Sequence, residues 1–307
     1  MVKPYYAGLP VGAAQMTSHA IGADVTSLAF SPDGERLAVA TTDGQVRVFW
    51  VQSNGDFSGS VRYLGHRQAV NTVAWSPDGT CLASAGNDTA VHVWDAIRGE
   101  VRYIYRGHAA LVYALAFSPD GVQIASAGLA SELLVWDAQT GVHRLSYRGH
   151  RGIVRAVAWS PDGRQLTSGG EDRQVEVWDA ASGKTLFSAW GHAQAVLCVA
   201  WSPDSRYIAT GGQDHLAAIW DVAAGKLVAA YSGHRGSVSS IAWFPDGMFL
   251  ASGSHDKTVQ LWTSGNGLHV RTLTGHSGAV NAVSWSPPHG TYLASAGTDR
   301  CIQFWRP

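Results

Sequence analysis

The Gly-His pairs Gly65-His66, Gly107-His108, Gly149-His150, Gly191-His192, Gly233-His234 and Gly275-His276 recur every 42 residues. A fixed period sustained through most of a 307-residue chain restricts the fold to one supersecondary unit laid down many times, with its core shared between neighbours. The unit from Gly149 to Asp179 reads GHRGIVRAVAWSPDGRQLTSGGEDRQVEVWD. Three runs in it, IVRAVAW, QLTSGG and QVEVWD, are rich in Val, Trp and Thr and often alternate apolar with polar residues, which is strand patterning; no helix fits. Ser160-Pro161-Asp162-Gly163 joins the first two as a tight turn, Pro presetting φ at its second position and Asp and Gly suiting the rest. Glu171-Asp172-Arg173 turns the chain again, and Ala180 to Lys184 leads into a weaker apolar run, Thr185 to Trp190. Each unit is predicted to form four antiparallel strands.

Trp-Asp closes the third run at Trp94-Asp95, Trp136-Asp137, Trp178-Asp179 and Trp220-Asp221, with Trp262-Thr263 and Trp305-Arg306 at the matching places. Four strands in about 40 to 45 residues with these two signatures make the pattern of a β-propeller blade, and on these residues the chain resembles the WD-repeat family. The resemblance covers nearly the whole chain. A degenerate first copy, with Val25 to Phe30, Ser31-Pro32-Asp33-Gly34 and Val46 to Phe49, precedes the six Gly-His copies, and residues 53–60 hold its three extra residues as a longer loop. The expected fold is all-β: a seven-bladed propeller of four-stranded antiparallel blades in one domain over residues 1–307, with seven repeats over 19–307. The chain ends just after the third strand of the last repeat. Because propellers avoid an open edge, residues 12–17 are expected to supply the missing strand, with Met16 where Leu273 stands, His19 where His276 stands, and residues 1–11 as a tail.

Antiparallel connectivity puts the Gly-His loops and the turns near Asp172 at one end and the Ser-Pro-Asp-Gly turns at the other. The family resemblance implies that a His, a Ser or Thr, an Asp and a Trp form a hydrogen-bonded set in each blade, and buried groups of those types can satisfy one another. Residue matching gives five complete sets: His66, Ser84, Asp88, Trp94; His150, Ser168, Asp172, Trp178; His192, Thr210, Asp214, Trp220; His234, Ser252, Asp256, Trp262; and His276, Ser295, Asp299, Trp305. The third repeat keeps His108, Ser126 and Trp136 but has Ala130 in place of Asp, and the first keeps only His19 and Asp43. Five equivalent His, Asp and Ser constellations argue for staples, since a hydrolase needs one exposed set with an oxyanion site. Of the 13 histidines, seven fill the repeat position and the rest, His92 among them, are scattered, so no metal site is expected, nor a catalytic one, nor a cofactor.

Residues 1–11 lack an apolar signal core and no stretch reaches membrane-spanning length, so a soluble, cytoplasmic protein is expected. Cys81, Cys198 and Cys301 have no paired spacing and are predicted to be free. A formal net charge of −1 speaks against general binding to nucleic acid or anionic membranes. The first-strand aromatics Phe30, Trp75, Phe117, Trp159, Trp201, Trp243 and Trp285 recur, as packing between blades does, whereas Trp190 falls outside the pattern.

Function is sought where repeats differ. At the start of the first strand, blades three to five carry Leu111 and Tyr113, Ile153 and Arg155, and Ala195 and Leu197, against small or polar residues elsewhere, such as Asp24 and Thr26 or Ala69 and Asn71. Leu129 adds an apolar tip to the next turn of blade three. By resemblance these positions rim the channel mouth and contact peptides. Leu111, Tyr113, Leu129, Ile153, Arg155 and Leu197 make a lopsided apolar patch edged by a cation, the composition of a protein-binding hot spot; the alternative is that Tyr113 and Leu197 fill a narrow channel. The expected function is a non-enzymatic, monomeric scaffold for a protein or peptide. The competing readings are a channel that binds a small ligand or catalyses, for which Asp24 and Arg155 are the charged candidates, and an engineered or recently amplified array without an evolved partner.

Overall fold

Every run of strand character becomes a strand in the computed structural model, which describes residues 14–306. Twenty-eight strands fall into seven four-stranded antiparallel sheets, and among the described residues there is no helix. Blade four shows the plan: Val154–Trp159, Gln165–Gly170, Gln174–Asp179 and Thr185–Trp190 follow one another from the innermost strand outward. Consecutive innermost strands adjoin around the ring. The two central strands of the blade are almost wholly buried and the outer one is mostly exposed, which is why the fourth run looks weakest in the sequence.

The turns work as their residues dictate. Ser160 N–H donates to Gln165 O at 2.9 Å and Gly163 N–H to Ser160 O at 2.9 Å, while the Ser160 hydroxyl donates to Asp162 Oδ1 at 2.6 Å. Gly163 adopts φ +71°, where a Cβ is strained. The Gly of Gly-His answers to a close approach instead: a Cβ on Gly149 would lie 2.4 Å from Trp178 Cη2, and one on Gly107 would lie 2.2 Å from Tyr105 Oη.

Blades are sewn together by the recurrent Trp of the innermost strand. The indole N–H of Trp75 donates to Ala29 O of the preceding blade at 3.0 Å; Trp159, Trp201 and Trp243 do the same to Ala116, Ala158 and Ala200 at 3.1 to 3.2 Å. Trp285 keeps the packing but not the bond: its buried N–H has no partner among the described residues, and its ring meets Phe244 edge-on at 4.9 Å.

The ring closes through the N-terminal segment, as expected, with a shifted boundary. The closing strand is Ala14–Ala20, paired antiparallel to Cys301–Arg306 with Gln15 opposite Trp305 and His19 opposite Ile302. The strand therefore runs on to Ala20, past the predicted end at residue 17; residues 12 and 13 and the 1–11 tail lie outside the described residues. His19 does not rebuild a staple with Asp43. Its Nε2 lies 3.1 Å from Gly55 O, and Asp43 instead accepts from the Thr41 hydroxyl at 2.6 Å. The long loop of blade one clasps the seam: Thr17 Oγ1 donates to Gly55 O at 2.9 Å, and Phe57 stacks on Phe49 at 4.3 Å and meets Phe304 at 5.6 Å.

Candidate functional site

All five predicted staples form. In blade four His150 Nδ1 lies 2.9 Å from Asp172 Oδ2, His150 Nε2 lies 2.8 Å from Ser168 Oγ, and Trp178 Nε1–H donates to Ser168 Oγ at 2.8 Å. The corresponding His to Asp distances are 2.8 Å for His66 and Asp88, 3.0 Å for His192 and Asp214, 2.8 Å for His234 and Asp256, and 2.6 Å for His276 and Asp299. Trp94, Trp220, Trp262 and Trp305 donate to Ser84, Thr210, Ser252 and Ser295. The order that idles no donor runs indole to hydroxyl, hydroxyl to His Nε2, His Nδ1–H to carboxylate. Ser168 is completely buried and its oxygen already has two partners, so no substrate reaches it: the set is structural.

The carboxylate also holds the Gly-His loop. Asp172 accepts from the Arg151 amide at 2.9 Å and the Gln174 amide at 3.2 Å. Burial pushes its carboxyl up, yet the hydrogen bonds from His150 and the two amides outweigh that, and its pKa lies below the ordinary value. Blade three lacks this acceptor. His108 keeps Ser126 at 2.6 Å and Trp136 donates to the same oxygen at 3.0 Å, but burial without a carboxylate pushes the imidazole down to about 4.

The rim has a feature the sequence shows only as variation. Each innermost strand carries a register shift at its second residue, so Thr26, Asn71, Tyr113, Arg155, Leu197, Ser239 and Asn281 each occupy a bulge at the Gly-His end. Four of them donate to the next blade: Thr26 to Val70 O, Asn71 to Val112 O at 2.9 Å, Ser239 to Val280 O, and Asn281 to Val25 O at 2.8 Å. Tyr113, Arg155 and Leu197 make no such bond. The Arg155 guanidinium instead lies over the Tyr113 ring at 4.4 Å, a contact between blades three and four, and its Nε donates to Glu171 Oε1 at 3.1 Å. Sequence reasoning missed Glu171. Leu111 and Leu129 share a backbone bond, Leu129 N–H to Leu111 O at 2.9 Å, and Leu129 is 42% exposed. Leu111, Tyr113, Ile153, Arg155 and Leu197 are half-buried. Asp24, the other charged candidate for channel chemistry, pairs with Arg300 at 3.0 Å.

Behind the rim, the residue facing the staple hydroxyl across the central strands, or facing Val39 at that position in blade one, differs in every blade but two: Arg47, His92, Leu134, Glu176, Ala218, Gln260 and Gln303. Glu176 is buried, accepts from the Ser188 hydroxyl at 2.8 Å, and is pushed up by burial. His92, read from sequence as scattered, lies against the His66 staple.

This architecture defines a closed, seven-bladed propeller with structural staples and an asymmetric rim. The chain belongs to the WD-repeat family: the description "WD domain, G-beta repeat" matches residues 13–49, 58–95, 99–137, 141–179, 183–221, 225–263 and 267–306. Propellers of this family generally serve as non-catalytic scaffolds that bind proteins or peptides. Among curated proteins, the chain is similar to WD repeat-containing protein 1-B of Xenopus laevis, 41% identical over 70 residues (23% of this chain, 11% of that protein). It is also similar to the Poly(A)+ RNA export protein of Schizosaccharomyces pombe, 34% identical over 76 residues (25% of this chain, 21% of that protein). The chain thus matches only 11% to 21% of the length of these relatives. No described helix is long and apolar enough to cross a membrane.

Proposed function

We propose that this propeller is a non-enzymatic scaffold that captures an extended peptide segment of a partner protein on the Gly-His face, across the rim of blades three to five. Leu111, Tyr113, Leu129, Ile153, Arg155 and Leu197 carry the contact. The supporting observation is the broken ring of bulge residues: four blades commit that side chain to a hydrogen bond with a backbone carbonyl of the next blade, whereas among the described residues Tyr113, Arg155 and Leu197 make no such bond. The rim is rigid, so little ordering free energy is lost on binding. An apolar side chain of the peptide packs beside Tyr113, and an acidic one competes with Glu171 for Arg155. The free cysteines Cys81, Cys198 and Cys301 support a reducing, cytoplasmic setting.

Peptides selected from a random display library on the immobilised protein test this reading. Tyr113→Ala and Arg155→Ala should each weaken the selected peptides by about tenfold or more, the effect of removing a hot-spot side chain. Alanine is preferred to glutamate at position 155, because a second carboxylate beside Glu171 adds repulsion of its own. Asp33→Ala and Asp246→Ala, at the opposite end, should leave affinity unchanged. Binding that survives the rim changes and is lost with the opposite pair would move the site to the other face.

A further inference from the structure

His92 stands where blades six and seven carry Gln260 and Gln303, directly opposite the staple hydroxyl. Part of its role is the same as that of Gln260. His92 Nδ1 lies 2.6 Å from Tyr63 Oη, just as Gln260 Oε1 receives the Tyr231 hydroxyl. A glutamine would suffice for that. The imidazole brings a second nitrogen, Nε2, which makes no hydrogen bond among the described residues and lies 3.9 Å from Asp88 Oδ2. The His66 ring stacks on the His92 ring at 3.9 Å, and its own Nδ1 reaches the same carboxylate oxygen at 2.8 Å. One ligand atom each from His66, Asp88 and His92 thus lies within 4.8 Å of the others, in a blade whose four counterparts with complete staples hold only one imidazole there.

We propose that His66, Asp88 and His92 form a divalent transition-metal site, best matched to zinc. Two imidazoles and a carboxylate are the donor types zinc takes, with a water in the fourth place. Tetrahedral ligand atoms about 2.0 to 2.1 Å from a metal stand roughly 3.3 Å apart. The 2.8 Å His66 to Asp88 contact would open and the 3.9 Å His92 to Asp88 gap would close, each by about half an ångström, and the two imidazoles would rotate out of their stack, because a shared metal must lie near both ring planes. The outer shell is built: Ser84 Oγ at 2.8 Å orients His66 through Nε2, and the Tyr63 hydroxyl orients His92 through Nδ1. Asp88 is also fixed, by the Arg67 amide at 3.3 Å. Both imidazoles are buried while the Asp88 side chain is 11% exposed, which leaves the water position on the solvent side. To bind through Nδ1, His66 moves its proton to Nε2 and reverses the Ser84 bond, and to bind through Nε2, His92 holds its proton on Nδ1 and donates it to Tyr63 Oη, so both rings stay neutral and no proton is released.

The test compares wild type with His92→Gln after both are stripped with EDTA. Gln at this place is native to blades six and seven and keeps the Tyr63 bond, so the circular dichroism and the metal-free melting temperature should match wild type. Titration with zinc chloride against a chromophoric chelator should show one tight equivalent in wild type, weakened at least about 100-fold in the variant. Cobalt(II) added to wild type should give the strong visible bands of a four-coordinate ion, absent in His92→Gln. Equal zinc uptake by the two proteins, or no uptake by wild type at micromolar free zinc, would overturn the site.

Discussion

Replacing Asp172 by alanine removes one carboxylate and strands three donors. His150 Nδ1–H sits in a ring whose side chain is 2% exposed, so it loses its acceptor with no water to take over, a cost of about 1 to 3 kcal/mol. The Arg151 and Gln174 amides, at 2.9 and 3.2 Å, lie nearer the surface and rehydrate more cheaply, adding roughly 0.5 kcal/mol each. A total of about 2 to 4 kcal/mol corresponds to a fall of roughly 1 M in the urea midpoint if the slope is about 3 kcal/mol per M. The pH dependence separates the carboxylate from simple packing. The folded pKa of Asp172 is depressed, so its stabilisation is fully present above about 3.8 and is lost as pH falls through the lower folded value. The gap between wild type and Asp172→Ala should therefore hold from pH 7 down to about 4 and close below that. The reverse change, Ala130→Asp, should complete the staple of blade three, gain roughly 1 kcal/mol, and raise the His108 pKa from about 4 in an NMR titration. Equal urea midpoints for wild type and Asp172→Ala would refute the reasoning, as would a gap that persists unchanged at pH 3.

Acid should loosen the fold before its carboxylates titrate. Burial holds His92 and His108 down to about 4 and lowers His234 and His276, so stability is lost as pH falls from about 6.5, where the unfolded chain starts to take up protons that the folded one refuses; metal-free His92→Gln should show a shallower fall of melting temperature from pH 7 to 5. Removal of residues 1–20 strips the strand paired with Cys301–Arg306 and uncovers Phe304, and should cost on the order of 5 kcal/mol, about 10 °C for a chain of this length, in a calorimetric scan.

What the sequence determined by itself was everything that repeats. The 42-residue period, the Ser-Pro-Asp-Gly turns and the alternation in QVEVWD fix strand number, hairpin order and blade count, because turn chemistry and pleat are local and each copy confirms the others. Staple members such as His150 and Asp172 were legible for the same reason: a group that recurs at one register position in five blades meets the same neighbours each time. Closure by the N-terminal segment followed from counting strands, although its reach to Ala20 showed only in the clasp of Gly55 and Phe57 and the pairing with Cys301–Arg306. Only the tertiary structure decided the contacts between non-equivalent residues. Arg155 meets Tyr113 of the blade before it and Glu171 of its own second hairpin, and His92 stacks on His66 across 26 positions of sequence (92 − 66). Neither juxtaposition repeats, so periodicity gives no sign of it. Such distances are fixed by the bulge at each innermost strand and the rotation from blade to blade, which place side chains together only once the ring has closed.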